Sequence, residues 1–430
     1  MILRGWGTSR RRWLTVIVAL ALVLRVALVL ATSNWSPPPS SDPHDFERFA
    51  LPLAAHGQLP VSEGAARGGP TAFRPPLYPV ELAAIYRVVG VGSGPERWQA
   101  ARLIGAVLGA VAVVLIFLIA LRLWDEPVAV LAGGIAAVYP PLVMAGSSLM
   151  SEALFIPLVL GAVLAALAHR ASRHRWRFAL LTGLLVGLAS LTRGNGIVLL
   201  VLVGLLWPGP PRLSLRAARA PLAMVLVAVI TILPWTLRNA NELHAFVPVT
   251  TETGFALAGT YAPDAQAQRA LWRPPVAEML QVWRNAPSAN EAAVSGRLSD
   301  MAIDYVRAHP ASLARTVFWN TARTLNLTGP GLERALAHLW GYPRWLAGLS
   351  VYAFWVLLPL AAIGAFTRAG RRAPLALWAC PLLLLVTVVL LLGLTRYRLP
   401  ADPFLVLLAA LGLRSVWERR GGWQVPSSAG

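Results

Sequence analysis

The run LTVIVALALVLRVALVLATS, residues 14–33, carries one charge, Arg25, in an otherwise uncharged stretch. Runs like it recur along the chain, and they limit the fold more than any other feature. About 20 apolar residues in a row make a helix as long as the hydrocarbon core of a bilayer is thick. In that environment the backbone must satisfy its own polar groups, so the segments have to be helices. The pattern predicts ten spans, near 14–32, 98–121, 128–146, 153–168, 178–192, 196–208, 221–237, 346–366, 375–394 and 401–417. Composition agrees. With 57% hydrophobic and 13% charged residues and a mean hydropathy of +0.60, the chain lies outside the range of soluble enzymes. Its 17 Trp residues suit membrane interfaces.

The net charge of +19 comes without a single lysine. This Arg excess, with abundant Ala, Gly and Pro, fits a GC-rich bacterial genome. The arginines fall in short clusters between apolar runs, a pattern suited to anionic lipid headgroups and not to nucleic acid. Clusters at Arg10–Arg12, Arg170–Arg177, Arg212–Arg219, Arg368–Arg372 and Arg414–Arg420 all fall on one side if the segments at 178–208 form a hairpin and the chain turns again near LTRYRLPAD. By the excess of positive charge on cytoplasmic loops, both termini are expected in the cytoplasm. A cleaved signal peptide is the rival reading of the first run. Its length and the spans that follow favour an uncleaved anchor. Cys380 is the sole cysteine, which rules out an internal disulfide.

One integral membrane domain, 1–430, is therefore expected in the bacterial inner (cytoplasmic) membrane. It has a first outer loop at 33–97 with amphipathic interfacial helices, a large outer loop at 238–345 and a disordered cytoplasmic tail at 418–430. The first loop holds DFERFALPLAAHG and PLYPVELAAIYRVVG. The second holds one long helical pattern, RLSDMAIDYVRAHPASLARTVFWNTARTL. Pairs at Gly105/Gly109 and Gly183/Gly187 suggest close helix packing.

Two features suggest chemistry. In SSDPHDFERFA, Asp42 and Asp45 directly follow the first span. One reading is an ordinary helix start, with Asp42 as N-cap and Pro43 at the first helical position. The other is an acidic pair facing a substrate whose head lies at the interface. Glu152, in SSLMSEALF, divides in the same way between helix-terminus stabilisation and a place in the site. Second, five arginines fall on the face that should be poor in them: Arg74, Arg193, Arg238, Arg396 and Arg398. A single one reads as a snorkelling anchor. Five on one face fit an anionic ligand better, because a guanidinium donates to two phosphate oxygens at once. Arg396 and Arg398, with Tyr397 between them, are expected to hold a phosphate. Arg25, inside the first span, is costly unless it faces the bundle interior or a wet cavity. Neither a Walker motif nor metal-ligand spacing appears in the sequence, so no cofactor is expected and a divalent metal is left open.

The segments SDPHDFERFALPLAAHG, PTAFRPPLYPVELAAIY, LMSEALFIPLVL, LASLTRGNGIVLL, LPWTLRNANELHAFVPVTTETGFALAGTY, DYVRAHPASL and RYRLPADPFLVLLAALGL occur in this order. Together they resemble the membrane glycosyltransferases of the GT-C superfold. They are most similar to bacterial family 39 proteins of the dolichyl-phosphate-mannose protein mannosyltransferase-like group, from about Leu14 to Leu413. The resemblance implies an all-α polytopic bundle with its active site at the outer face. It implies a sugar donor carried on polyprenyl phosphate or diphosphate, and a carboxylate of the first outer loop, Asp42 or Asp45, as general base. It also implies inversion at the sugar and a protein, glycolipid or wall polymer as acceptor. Phe46 stands where the family pattern has Tyr, and Gly194 where it has Pro. A transporter or flippase of polyprenyl-linked lipids is the competing class. It would also need polar groups on the inner half, where only loop arginines are seen.

Overall fold

The computed structural model describes residues 7–39, 41–63, 66–172, 175–207 and 214–419. The expected tail beyond Arg419, and Arg173, Arg212 and Arg420 of the clusters, lie outside these residues. Within them the chain is helical, with no strand. The order begins with α1 (Thr8–Ala31), α2 (Asp42–His56) and α3 (Leu77–Val89). Next come α4 (Gly94–Leu123), α5 (Glu126–Val138), α6 (Pro140–Ala145), α7 (Glu152–Ala171) and α8 (Arg175–Thr192). A 3₁₀ helix (Gly194–Leu202), α9 (Val203–Leu206) and α10 (Leu215–Leu243) follow. The long connection after them holds α11 (Glu252–Tyr261), α12 (Pro263–Ala267), α13 (Val276–Asn285), α14 (Glu291–Ala308), α15 (Ala311–Thr324) and α16 (Gly331–Leu336). The last part is α17 (Arg344–Phe366), α18 (Arg368–Arg372), α19 (Leu375–Leu390), α20 (Thr395–Arg398) and α21 (Asp402–Arg419).

This is an all-α polytopic membrane fold. Five helices are long and apolar enough to cross a membrane by length and composition: Thr8–Ala31, Gly94–Leu123, Glu152–Arg170, Ala217–Leu243 and Arg344–Phe366. Three shorter apolar helices, Glu126–Val138, Gly194–Leu206 and Leu375–Leu390, accompany them. Close approach of backbones holds the bundle together. A side chain at Gly183 or Gly187 would run into Met224 and Thr231 of α10.

Three predicted segments are built differently. The span expected at 128–146 breaks at Tyr139, whose backbone is extended ahead of Pro140. A residue before proline is driven out of the α region. Arg25, 1% exposed, fills the break by donating to the carbonyls of Ala137 and Leu142 at 3.2 Å and of Ala136 at 3.4 Å. The stretch at 196–208 is not an α-helix: nine residues of 3₁₀ helix lead into one α turn. A 3₁₀ rise of about 2.0 Å per residue lets so short a segment reach further than an α-helix would. The long pattern around DYVRAHPASLAR is two helices, α14 and α15, divided at His309–Pro310 for the same reason as Tyr139.

The bundle has two chemically distinct ends. At one, Arg10 pairs with Glu126 at 2.8 Å, Arg414 pairs with Asp125, and Trp124 donates to the Ala369 carbonyl. The start of α1, the α4–α5 joint, α18 and the end of α21 thus meet. At the other end α1 gives way to Thr32 and Trp35. There Arg102 donates to the Thr32 carbonyl at 3.0 Å and Trp35 to that of His338 at 2.8 Å. The acidic pair and most of the singled-out arginines gather here.

Candidate active site

The site is assembled from helix starts and one-turn elements. Ser41, not Asp42, caps α2, its hydroxyl accepting from the His44 amide. Asp42 is therefore the first helical residue and Pro43 the second, and the Asp42 carboxylate is spared from capping. The connection between α2 and α3 presents Arg74, whose guanidinium reaches three acids. It meets Asp42 Oδ1 at 2.5 Å, Asp45 Oδ2 at 2.6 Å and Glu252 Oε1 at 3.0 Å. Arg48 holds the other oxygen of Asp45 at 3.0 Å. Arg396, on the single turn α20, pairs with Asp42 Oδ2 and with Glu152 Oε1, the latter at 2.8 Å. Arg193 meets Glu152 Oε1 at 2.7 Å and Ser151 Oγ at 3.1 Å. The Tyr397 ring lies beside both cations, 4.9 Å from Arg396 and 5.4 Å from Arg193.

These groups border a cavity of about 160 Å³ whose wall includes Phe46, Arg74, Arg193, Glu252, Arg396 and Tyr397. Ser151, Thr192, Asn195, Thr250, Thr253 and Thr387 add further polar residues to its wall. Asp42, 24% exposed at its side chain, stands behind Arg74 and Arg396. Burial alone would raise the Asp42 pKa, but the charges of Arg396 and Arg74 overcome it and hold the carboxyl well below the usual range. Glu252 goes the other way: burial raises its pKa, opposed by Arg74 and reinforced by Asp42. Among the described residues no group of three or more His, Cys, Asp or Glu side chains is disposed to hold a metal ion. The Arg74 guanidinium lies between Asp42, Asp45 and Glu252.

Of the residues expected from sequence, Asp42, Asp45, Glu152, Arg74, Arg193, Arg396 and Tyr397 come together. Arg398 and Arg238 do not. An i, i+2 pair shares a direction only in extended or irregular chain, and residues 395–398 form a helical turn. Arg398 consequently points away, to Asp402 Oδ1 at 2.8 Å and the face of Phe354. Arg238 donates to the Thr71 carbonyl at 2.7 Å and stacks on Trp235, so it ties α10 to the loop that carries Arg74.

Sequence reasoning missed two acids. Glu252 opens α11 without any charge pattern to mark it. Glu291, 1% exposed, binds the Ala72 amide at 2.8 Å and the hydroxyls of Thr251, Ser62 and Thr71 at 2.6, 2.5 and 2.8 Å. It fastens the Arg74 loop to the start of α11. Glu291→Ala should leave four buried donors short of an acceptor and cost about 2–4 kcal/mol of stability. Thermal unfolding in detergent would measure it, and an unchanged midpoint would show that the clamp contributes nothing.

The architecture has counterparts among known proteins, and the fold is of the GT-C type. Residues 74–237, less than half of the chain, match the family model described as dolichyl-phosphate-mannose-protein mannosyltransferase. That segment holds Arg74, Glu152 and Arg193. No curated protein matches the chain. Among solved structures, the oligosaccharyltransferase AglB of Archaeoglobus fulgidus, in complex with an inhibitory peptide and a dolichol-phosphate, is 12% identical with a TM-score of 0.59. The alignment covers 96% of this chain and 51% of that one. The Archaeoglobus fulgidus oligosaccharyltransferase tethered to an acceptor peptide with the NVT sequon is 14% identical, TM-score 0.55, over 95% of this chain and 50% of that one. This chain thus spans about half the length of those enzymes. ArnT of Cupriavidus metallidurans bound to undecaprenyl phosphate is 18% identical with a TM-score of 0.44, covering 95% of this chain and 79% of that one.

Proposed function

We propose that the protein transfers a sugar from a polyprenyl-phosphate carrier to an acceptor hydroxyl, at the outer face of the cytoplasmic membrane. The observation that carries this reading is one carboxylate, Asp42, gripped on both oxygens by arginines that also wall a cavity. Transfer from a lipid phosphate needs a base for the incoming hydroxyl and positive charge for the departing phosphate. Arg396 and Arg193 receive the phosphate, with Tyr397 between them. As the phosphate draws Arg396 away, Asp42 loses part of its counter-charge and accepts the acceptor's proton. The acceptor oxygen bonds to the anomeric carbon, and the sugar–phosphate bond breaks with its electron pair on the carrier phosphate. Attack opposite the leaving group inverts the sugar. Protein, glycolipid and wall polymer are all acceptors of this chemistry.

A second reading has its own observation: Glu252 lines the cavity, whereas Asp42 stands one guanidinium back. The pH profile separates the two. With Asp42 as base, the acid limb of kcat/KM lies below the ordinary carboxylate range, and Arg396→Gln moves it to higher pH by removing the charge that depresses it. With Glu252 as base, the limb lies above that range. The test of the whole reading is incubation of purified protein with a panel of polyprenyl-phosphate sugars. Release or transfer of sugar is expected, and movement of intact carrier across a vesicle without cleavage would sink it.

A further inference from the structure

The connection between α12 and α13 contains two successive non-glycine residues in the left-handed region, Arg269 at φ 58° and Ala270 at φ 54°. Side chains disfavour that conformation, and it persists only where surrounding structure imposes it. The Arg323 guanidinium imposes it here. It donates to the Arg269 carbonyl at 3.0 Å and to the Ala270 carbonyl at 2.8 Å, and its Nε reaches Gly393. The result is to hold the Arg269 side chain out over Trp319, 4.9 Å from the ring. No carboxylate among the described residues pairs with it.

Beneath Arg269 runs a groove of about 560 Å³, walled by Val317, Phe318, Trp319 and Leu327. Phe318 is 63% and Leu327 66% exposed, a cost in water but not against lipid. The segment that forms the groove touches α17, a helix long and apolar enough to cross a membrane. Trp355 of α17 donates to the Leu325 carbonyl, and its neighbours Tyr352 and Val356 are exposed on that spanning helix. On its other side α15 sits on the end of α19, where Asn320 donates to the Val389 carbonyl at 2.9 Å. The apolar wall is thus borne by a helix packed between two apolar helices, with the Arg269 guanidinium beside it. A cation at the rim of an apolar trough complements an anionic phosphodiester with acyl chains.

We infer that this groove binds an anionic glycerophospholipid, its phosphate on Arg269 and its chains along Val317, Phe318 and Leu327. The site is separate from sugar transfer and needs no donor or acceptor to be occupied. Because Thr395 Oγ1 donates to the Arg323 carbonyl at 3.2 Å, the strained turn is also joined to the segment that carries Arg396.

The test uses the full chain extracted from vesicles of equimolar phosphatidylcholine and phosphatidylglycerol, with retained lipid read by native mass spectrometry. The wild type should keep one phosphatidylglycerol that Arg269→Gly loses about tenfold more readily, the effect of one charge-assisted pair. Glycine adopts the left-handed turn without strain, so this variant folds at least as well, and an unfolding midpoint no lower than wild type confirms it. Phe318→Ser should weaken retention through the chain contacts, and Arg269→Lys should restore part of the binding. Equal retention by wild type and Arg269→Gly overturns the inference, as does equal preference for phosphatidylcholine. Displacement of the phosphatidylglycerol by undecaprenyl phosphate at the same concentration also overturns it, marking the groove as a carrier port.

Discussion

Asp42→Asn is expected to reduce sugar transfer by roughly a hundredfold or more, the usual worth of an acid–base group, while donor affinity stays close to wild type. Asparagine keeps the size of the side chain, and Ser41 rather than Asp42 caps the helix, so α2 keeps its cap and loses only the small charge–dipole contribution of an acid in its first turn. The two arginines freed by the change are not left as lone buried charges, which would cost several kcal/mol. Arg74 keeps Asp45 and Glu252, and Arg396 keeps Glu152. The loss should therefore appear in kcat and not in folding. Asp45→Asn should lose less, because Asp45 is shared between Arg74 and Arg48 and acts by holding Arg74 in place. Single-turnover assays on donor-loaded protein would separate the two. A dead Asp45→Asn beside an active Asp42→Asn would exchange their roles. If Glu252→Gln alone is inactive, the base is the acid on the cavity wall.

The bundle was legible because lipid leaves the chain few options. A long apolar run has to be a helix, and each predicted span coincides with one or two helices. What the runs could not show is where helices break, because breaks depend on local backbone chemistry. Tyr139 before Pro140, and His309 before Pro310, interrupt stretches whose hydrophobic pattern continues without change. The site was legible as far as charge stood out against its surroundings. Arg74, Arg193 and Arg396 are conspicuous because the charge pattern assigns their segments to an arginine-poor face, and they do converge. Arg398 and Arg238 are as conspicuous in sequence and serve other contacts, since spacing alone does not give direction until the local dihedrals are known. Glu252 and Glu291 were missed for the opposite reason. An acid at a helix start is so common that it carries no signal, and their partners lie far away in sequence, at Arg74 and at Ser62 to Ala72.

That difference in direction gives the second large effect. Arg396→Ala should weaken donor binding by about 10- to 100-fold, the worth of one charged hydrogen bond to phosphate, without unfolding the protein. Arg396 is only 6% exposed, but its removal leaves Glu152 paired with Arg193 and Asp42 paired with Arg74. Lysine should recover part of the affinity as a point charge, lacking the second arm that reaches both an acid and the phosphate. Arg398→Ala should behave in the reverse way. Asp402 is 0% exposed, and Arg398 is its only cationic partner among the described residues. Its loss should destabilise the fold by about 3–5 kcal/mol. In whatever fraction folds, donor affinity should be unchanged, because Arg398 faces Phe354 and the Thr324 carbonyl and not the cavity. Titrating both variants with a non-transferable polyprenyl phosphate, alongside thermal unfolding, tests the pair together. Unchanged affinity in Arg396→Ala would take the phosphate away from α20. Lost affinity in a well-folded Arg398→Ala would mean that the turn rearranges on binding so that both arginines face the donor.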